Sequence, residues 1–193
     1  MKKKEKDFYF IFLRYIIILL FGIGNLFVFY FILTPVTTYS VYGILSLYHE
    51  VELGKSGILF LESFNVGLID SCIAGGAFYL LFILIMSTGN LNLKRRLTIL
   101  FYSFLIFLFL NVLRILVLIE LYGTNIFIFA HWFLWNVMST LFVVGIWFFM
   151  VKIYKIKSYP FLTDFYNFLN FVRYNNNLEK KSLKKVKNIV RKK

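Results

Sequence analysis

The chain has 193 residues, of which 60% are hydrophobic and 21% aromatic, and its mean hydropathy is +0.76. A soluble domain of this length cannot hide so much apolar surface, which excludes a water-soluble globular fold and makes lipid the solvent. The formal net charge is +13, but most basic residues stand in short clusters beside apolar runs with no folded recognition module, so a nucleic-acid partner is not expected.

The pattern predicts an all-α polytopic membrane protein with about four transmembrane helices and an outer loop holding a short interfacial helix and a β-hairpin. At 1.5 Å rise per residue a span needs about 20 apolar residues. The first is expected over 8–33, interrupted by Arg14, Gly22 and Gly24. Lys2, Lys3, Lys4 and Lys6 before it resemble a signal-peptide start, but the apolar run is too long and lacks an Ala-x-Ala-like site, so it reads as a retained anchor. Thr34-Pro35 is expected to stop the helix, because the residue before proline avoids helical angles.

Val36 to His49 then reads as a short interfacial helix with Tyr39, Tyr42 and Tyr48 at the headgroups. Glu50 to Glu62 reads as two strands around the turn Gly54-Lys55-Ser56-Gly57, and an extended stretch from Phe64 to Ile69 leads into Cys72. The remaining spans are expected over 71–88, 97–120 and 126–151. Pro160 and Thr163-Asp164 open an amphipathic helix with Phe161, Leu162, Phe165, Phe168, Leu169 and Val172, followed by a basic tail. That tail either contacts the anionic inner leaflet or is solvated and disordered. Two regions are expected: a membrane-embedded domain over 1–157, which holds all the candidate chemistry below, and a cytoplasmic tail over 158–193.

Basic residues set the direction. Lys94, Arg95 and Arg96 fill the expected turn between the second and third spans, and Lys152, Lys155 and Lys157 follow the fourth. The segments on the other side, 34–70 and 121–125, contain only Lys55 among the basic residues and hold Glu50, Glu52, Glu62 and Asp70. Both termini are therefore expected in the cytoplasm of a multi-pass cell-membrane protein.

Three residues carry candidate chemistry. Cys72 is the only cysteine, which excludes an intramolecular disulfide and a Cys-x-x-Cys pair. It begins the second span in Asp70-Ser71-Cys72-Ile73-Ala74-Gly75-Gly76-Ala77. By itself such a residue is most often an inert buried thiol. Gly75 and Gly76 remove bulk beside it, for a substrate or for a packed helix. Arg114 lies roughly 9 Å inside the third span, where a guanidinium costs about 2.5 kcal/mol or more unless it snorkels or is paired. Asn111 is three residues earlier on the same face. His131 lies roughly 8 Å inside the fourth span, flanked by Trp132 and Trp135, with Asn136, Ser139 and Thr140 below it. At matching depth, the arginine and imidazole would favour a thiolate at Cys72. The two histidines lack His-Glu-x-x-His spacing, so no metal site or cofactor is expected. His49 reads as a surface residue, and Asp70 and Glu120 as partners of His131, as recognition groups for a cationic acceptor, or as solvated carboxylates.

In order and kind, these segments resemble the exosortase/archaeosortase family of membrane transpeptidases. That family carries a Cys at the outer end of one helix, an Arg in an Asn-x-x-Arg-Ile-like motif, and a His at the outer end of a later helix. The matching residues here are Cys72, Asn111 with Arg114-Ile115, and His131, within about residues 58 to 148. The Cys-Ile-Ala-Gly-Gly-Ala stretch departs from the commoner Cys-Ser-Gly type and looks more like the small archaeal branch. The resemblance implies Cys72 as nucleophile, Arg114 as stabiliser of thiolate or oxyanion, and His131 as general acid and base, with Ser71 and Asn111 as candidate oxyanion donors. It further implies secreted substrate proteins ending in a motif, a hydrophobic helix and a basic cluster, and a lipid acceptor at the extracellular face of an archaeal membrane. The alternative is a non-enzymatic channel or assembly factor whose polar residues serve structure.

Overall fold

In the computed structural model, which describes residues 3–24, 26–54, 57–61, 64–89, 91–156, 160–174 and 180, the first apolar run forms two helices where one span over 8–33 was expected. Helix α1 covers Lys3–Gly22 and α2 covers Phe27–Leu45. Gly24 (φ 79°) and Leu26 (φ 59°) are both left-handed between them. Glycine takes that conformation freely, while leucine gives up roughly 1–2 kcal/mol to it. Pro35 does not stop the helix; it lies inside α2. Its missing N–H removes one ladder bond, which neighbouring helices allow a membrane helix to tolerate. The expected separate interfacial helix is instead the last turns of α2, where Thr37, Thr38, Val41 and Leu45 are buried.

The loop after α2 forms a three-stranded antiparallel sheet of β1 (Val51–Leu53), β2 (Ile58–Leu61) and β3 (Asn65–Gly67). Val51 pairs with Leu61, and Ile58 with Gly67. Gly57, at φ 77°, supplies the left-handed residue that lets its N–H return to the Gly54 carbonyl. Lys55, Ser56 and Glu62 lie outside the described residues.

The expected span over 71–88 is shorter and broken. It comprises α3 (Asp70–Ile73), a left-handed Ala74 at φ 58°, and α4 (Gly75–Met86). Helix α5 (Leu93–Glu120) starts earlier than expected, so Lys94, Arg95 and Arg96 form its first turn and the connection before it is Ser87 to Asn92. The fourth apolar run becomes α6 (Phe127–Phe133), a π-helical turn (Leu134–Met138) and α7 (Ser139–Ile153). Residues 162–174 form a further helix, α8. Lys2, Lys157 and the basic run beyond Lys180 lie outside the described residues.

Three helical stretches are long and apolar enough to cross a membrane: Phe27–Leu45, Leu93–Glu120 and Phe127–Ile153. Tyr9–Gly22 and Asp70–Met86 are shorter apolar helices. The chain is thus mostly helical and suited to a membrane. Phe31, Phe101, Phe109 and Phe148 are among the large side chains facing outward, as a lipid solvent requires.

Inside, α4, α5 and α7 pack around Phe78, Phe107, Ile85, Val143 and Ile146. Phe78 meets Phe107 edge to face at 4.6 Å, a contact worth about 0.5–1.5 kcal/mol. A second cluster of Val41, Leu45, Leu59, Val112, Ile115 and Ile119 clamps the sheet onto the ends of α2 and α5. Cys72 packs at the edge of that cluster.

Candidate functional site

The break at Ala74 creates the site. In a continuous helix the carbonyls of Ser71, Cys72 and Ile73 would accept from the N–H groups of Gly75, Gly76 and Ala77. The left-handed residue redirects the chain, and Ala77 donates to Ala74 instead. Three carbonyls are left at the end of α3, and among the described residues the N–H groups of Gly75 and Gly76 at the start of α4 have no backbone acceptor.

Asn111 and Arg114 satisfy those carbonyls. Asn111 Nδ2 donates to Cys72 O at 2.9 Å and to Ile73 O at 3.5 Å. Arg114 Nη2 donates to Ser71 O at 3.0 Å and to Cys72 O at 3.2 Å. Nη1 reaches Ser139 Oγ at 2.6 Å, tying α5 to α7. The i, i+3 spacing explains the division of labour, since it puts amide and guanidinium on one face of α5. Arg114 is only 5% exposed, so it does not snorkel to the interface. Its Nε and the Asn111 Oδ1 are buried without a partner among the described residues.

Cys72 is a free, half-buried cysteine within electrostatic range of Arg114. The sequence-expected residues Ser71, Cys72, Asn111 and Arg114 are therefore neighbours. The guanidinium and amide meet the backbone of Cys72, and no hydrogen bond joins either to its sulfur among the described residues.

The two glycines differ. A Cβ on Gly75 would lie 2.8 Å from Tyr30 ring carbons, so this glycine serves close packing of α4 on α2. Gly76 is exposed, and a Cβ there would meet nothing within 4 Å. Open space thus lies at Gly76 and not at Gly75.

His131 stands apart. It is half-buried on α6 and stacks on Phe127 at 6.0 Å, with no hydrogen bond to Cys72 or Arg114 among the described residues. The π turn nonetheless sets its direction. Eight regular α-helical residues would put His131 about 80° away from Ser139; one extra residue in the π turn brings the two to within about 20° of one face. That places His131 about 11 Å along the helix from Ser139, on the side that meets Arg114. Glu120, a candidate partner for His131, instead bonds His49 at 3.1 Å.

A second polar cluster lies at the far end of α5, where the sequence suggested only orienting charges. Arg96 is buried and donates to the carbonyls of Met86 and, at 2.9 Å, Thr88. Arg14 pairs with Asp164 of α8, which also accepts from Tyr15 at 3.1 Å. The signal available beforehand was Arg14 itself, a guanidinium inside an apolar run. Ser139 was visible as polar, but its bond to Arg114 depends on the helix crossing. Among the described residues, no three His, Cys, Asp or Glu gather to hold a metal ion. No protein-family model matches the chain, and neither a curated protein nor a solved structure matches it.

Proposed function

We propose that the chain is a membrane-embedded cysteine transpeptidase, similar in its site residues to the archaeosortases. The observation that carries this reading is the broken helix: Cys72 at the end of α3 with its carbonyl held by a buried arginine, and the exposed Gly76 with open space at the start of α4. Backbone donors at a helix N-terminus, in a water-poor site, are suited to an oxyanion, and one such donor contributes about 3 kcal/mol in other enzymes.

In the proposed reaction, the Cys72 thiolate attacks a scissile carbonyl and its oxygen becomes an oxyanion at Gly75 and Gly76. Arg114, whose Nε has no partner among the described residues, supplies positive potential. The carbonyl reforms as a thioester when the C–N bond breaks, and His131 gives its proton to the departing amine. An incoming amine on a lipid, deprotonated by His131, then attacks the thioester and releases the thiolate. Asn111 takes a positioning role here, because its amide hydrogens are used by Cys72 and Ile73. Ser71 contributes its carbonyl to Arg114.

The proposed topology has the α1–α2 and α3–α4 segments joining α5 and α6–α7 as four membrane-crossing units, both termini in the cytoplasm. Lys94 and Arg95 share one end of the bundle with Lys152 and Lys155, in keeping with a positive cytoplasmic side. Cys72 then works near the extracellular face on secreted proteins with a C-terminal motif, apolar helix and basic cluster.

A second reading is favoured by one observation: four of the side-chain hydrogen bonds from Asn111 and Arg114 go to backbone carbonyls. In a non-enzymatic channel or assembly factor these residues would simply cap α3. Cys72→Ala separates the readings. The enzyme loses all processing of a tail-anchored secreted substrate while the variant inserts and accumulates normally. Unchanged processing in that variant would falsify the transpeptidase.

A further inference from the structure

A cleft of about 1180 Å³ opens at the opposite end of the bundle, between α1, the start of α5 and α8. Arg114 and Arg96 are eighteen residues apart on one helix, about 27 Å, so this cleft is separate from the Cys72 site. Its polar lining is basic. Arg14, Arg96 and Arg173 contribute three positive charges and Asp164 one negative charge, leaving an excess of two.

The single carboxylate is already engaged by Arg14 and Tyr15. Arg96, only 5% exposed, has neutral carbonyls as hydrogen-bond partners. Asp164 offsets part of this charge but is shared with Arg14, so the cleft keeps a positive excess that attracts an anion in a low-dielectric setting. Asn167 and Asn170, one turn apart on α8, add uncharged amides beside Arg173.

The remaining wall is apolar. Phe10, Leu13, Ile17, Leu91 and Leu93 line it, and Phe10, Leu13 and Leu93 are more than half exposed. A soluble anion would gain nothing from these side chains, whereas acyl chains would cover them. α8 continues the same pattern, with Phe165, Phe168 and Leu169 outward and Asp164 inward.

We propose that this cleft binds one anionic phospholipid, its phosphate against Arg96 and Arg173 and its chains along Phe10, Leu13 and Leu93. Basic pockets at the cytoplasmic side of membrane helices recognise such headgroups by charge and by fork-shaped donors. The lipid would bridge α1, α5 and α8, adding to the contacts that Arg14 and Tyr15 make with Asp164.

The test uses the full chain in phosphatidylcholine nanodiscs, titrated with phosphatidylglycerol, with retained lipid counted by native mass spectrometry and thermal unfolding followed in parallel. Phosphatidylglycerol should be retained at least tenfold over phosphatidylcholine and should raise Tm. Arg173→Glu should remove both effects while leaving the Tm without added lipid unchanged, since Arg173 is exposed; Arg173→Lys should keep part of the preference. Arg96→Gln gives a second reading of the same preference, scored only on retained lipid. Equal retention of the two lipids overturns the proposal, as does a preference that survives both Arg173→Glu and Arg96→Gln. A Tm rise with millimolar inorganic phosphate equal to that with the lipid would make the site a simple anion site and likewise overturn it.

Discussion

Arg114 holds Cys72 by its backbone: Nη2 donates to the Cys72 carbonyl at 3.2 Å, across forty-two positions of sequence. The same guanidinium bonds Ser71 O and Ser139 Oγ, so one side chain joins α3, α5 and α7. Position and charge at the thiol therefore have a common source. Loss of Arg114 would displace the Cys72 backbone as well as remove the positive charge near it.

Arg114→Met should destabilise the protein by about 2–4 kcal/mol, because the Ser71 carbonyl and the Ser139 hydroxyl lose their guanidinium donor and the Cys72 carbonyl keeps only Asn111. Arg114→Lys should recover less than half of that. A single ammonium cannot span Ser139 on one side and Ser71 with Cys72 on the other. Thermal unfolding in detergent checks both. Equal stability of the lysine variant and the wild type would show that the fork geometry is not needed.

The paired glycines give a sharper contrast. Gly75→Ala should cost about 1–3 kcal/mol, since its Cβ would sit 2.8 Å from Tyr30 ring atoms held between α2 and α4. Gly76→Ala should be neutral or stabilising by up to about 1 kcal/mol, because it meets open space in the first turn of a helix. Gly76→Leu should leave Tm near wild type yet block processing if the space above Gly76 receives the scissile peptide. Normal processing by a well-folded Gly76→Leu would put the substrate elsewhere.

Composition and periodicity made much of the frame legible. The apolar runs later found as α5 and α6–α7 announced themselves by length, the Gly54–Gly57 turn announced the sheet, and Asn111 with Arg114 announced a shared polar face. The breaks did not show. Leu26 and Ala74 are left-handed without being glycine, and side chains that ordinarily avoid that region carry no local signal for it. Pro35 misled in the opposite direction, since its local preference was overridden by the packing of α2. Charge clusters were legible as clusters, but the burial of Arg96 against Met86 and Thr88 depends on how α4 meets α5. The site residues were readable as types; their attachment to the Cys72 backbone required the kink at Ala74.

At the other end, Asp164 is the attachment point of α8. It is 4% exposed and bonds Arg14 and Tyr15, while Gly89 lies against Thr163 beside it, where a Cβ would sit 2.8 Å from Thr163 Cγ2. Asp164→Asn keeps the shape but leaves a buried guanidinium without its counter-charge, a loss of about 3 kcal/mol or more. Hydrogen exchange should rise across residues 162–174 and at Arg14, with α5 and α7 unchanged. Global loss of protection in all helices would mean that α8 is an integral part of the bundle.

The π turn makes the last prediction, and it concerns His131. The extra residue among Leu134–Met138 is what aligns His131 with Ser139, the side chain that Arg114 grips. Deleting Val137, which is exposed, should convert that turn to a regular one and rotate His131 by about 100° about the helix axis. The Arg114–Ser139 bond lies below the deletion and should survive, so stability should fall by no more than about 1–2 kcal/mol, the ordinary cost of a tolerated change. Processing should fall to the level of His131→Ala, at least about a hundredfold if the imidazole performs the proton transfers. A deletion variant that folds and still processes substrate would remove His131 from the reaction, and the proton would then have to pass through solvent or the substrate itself.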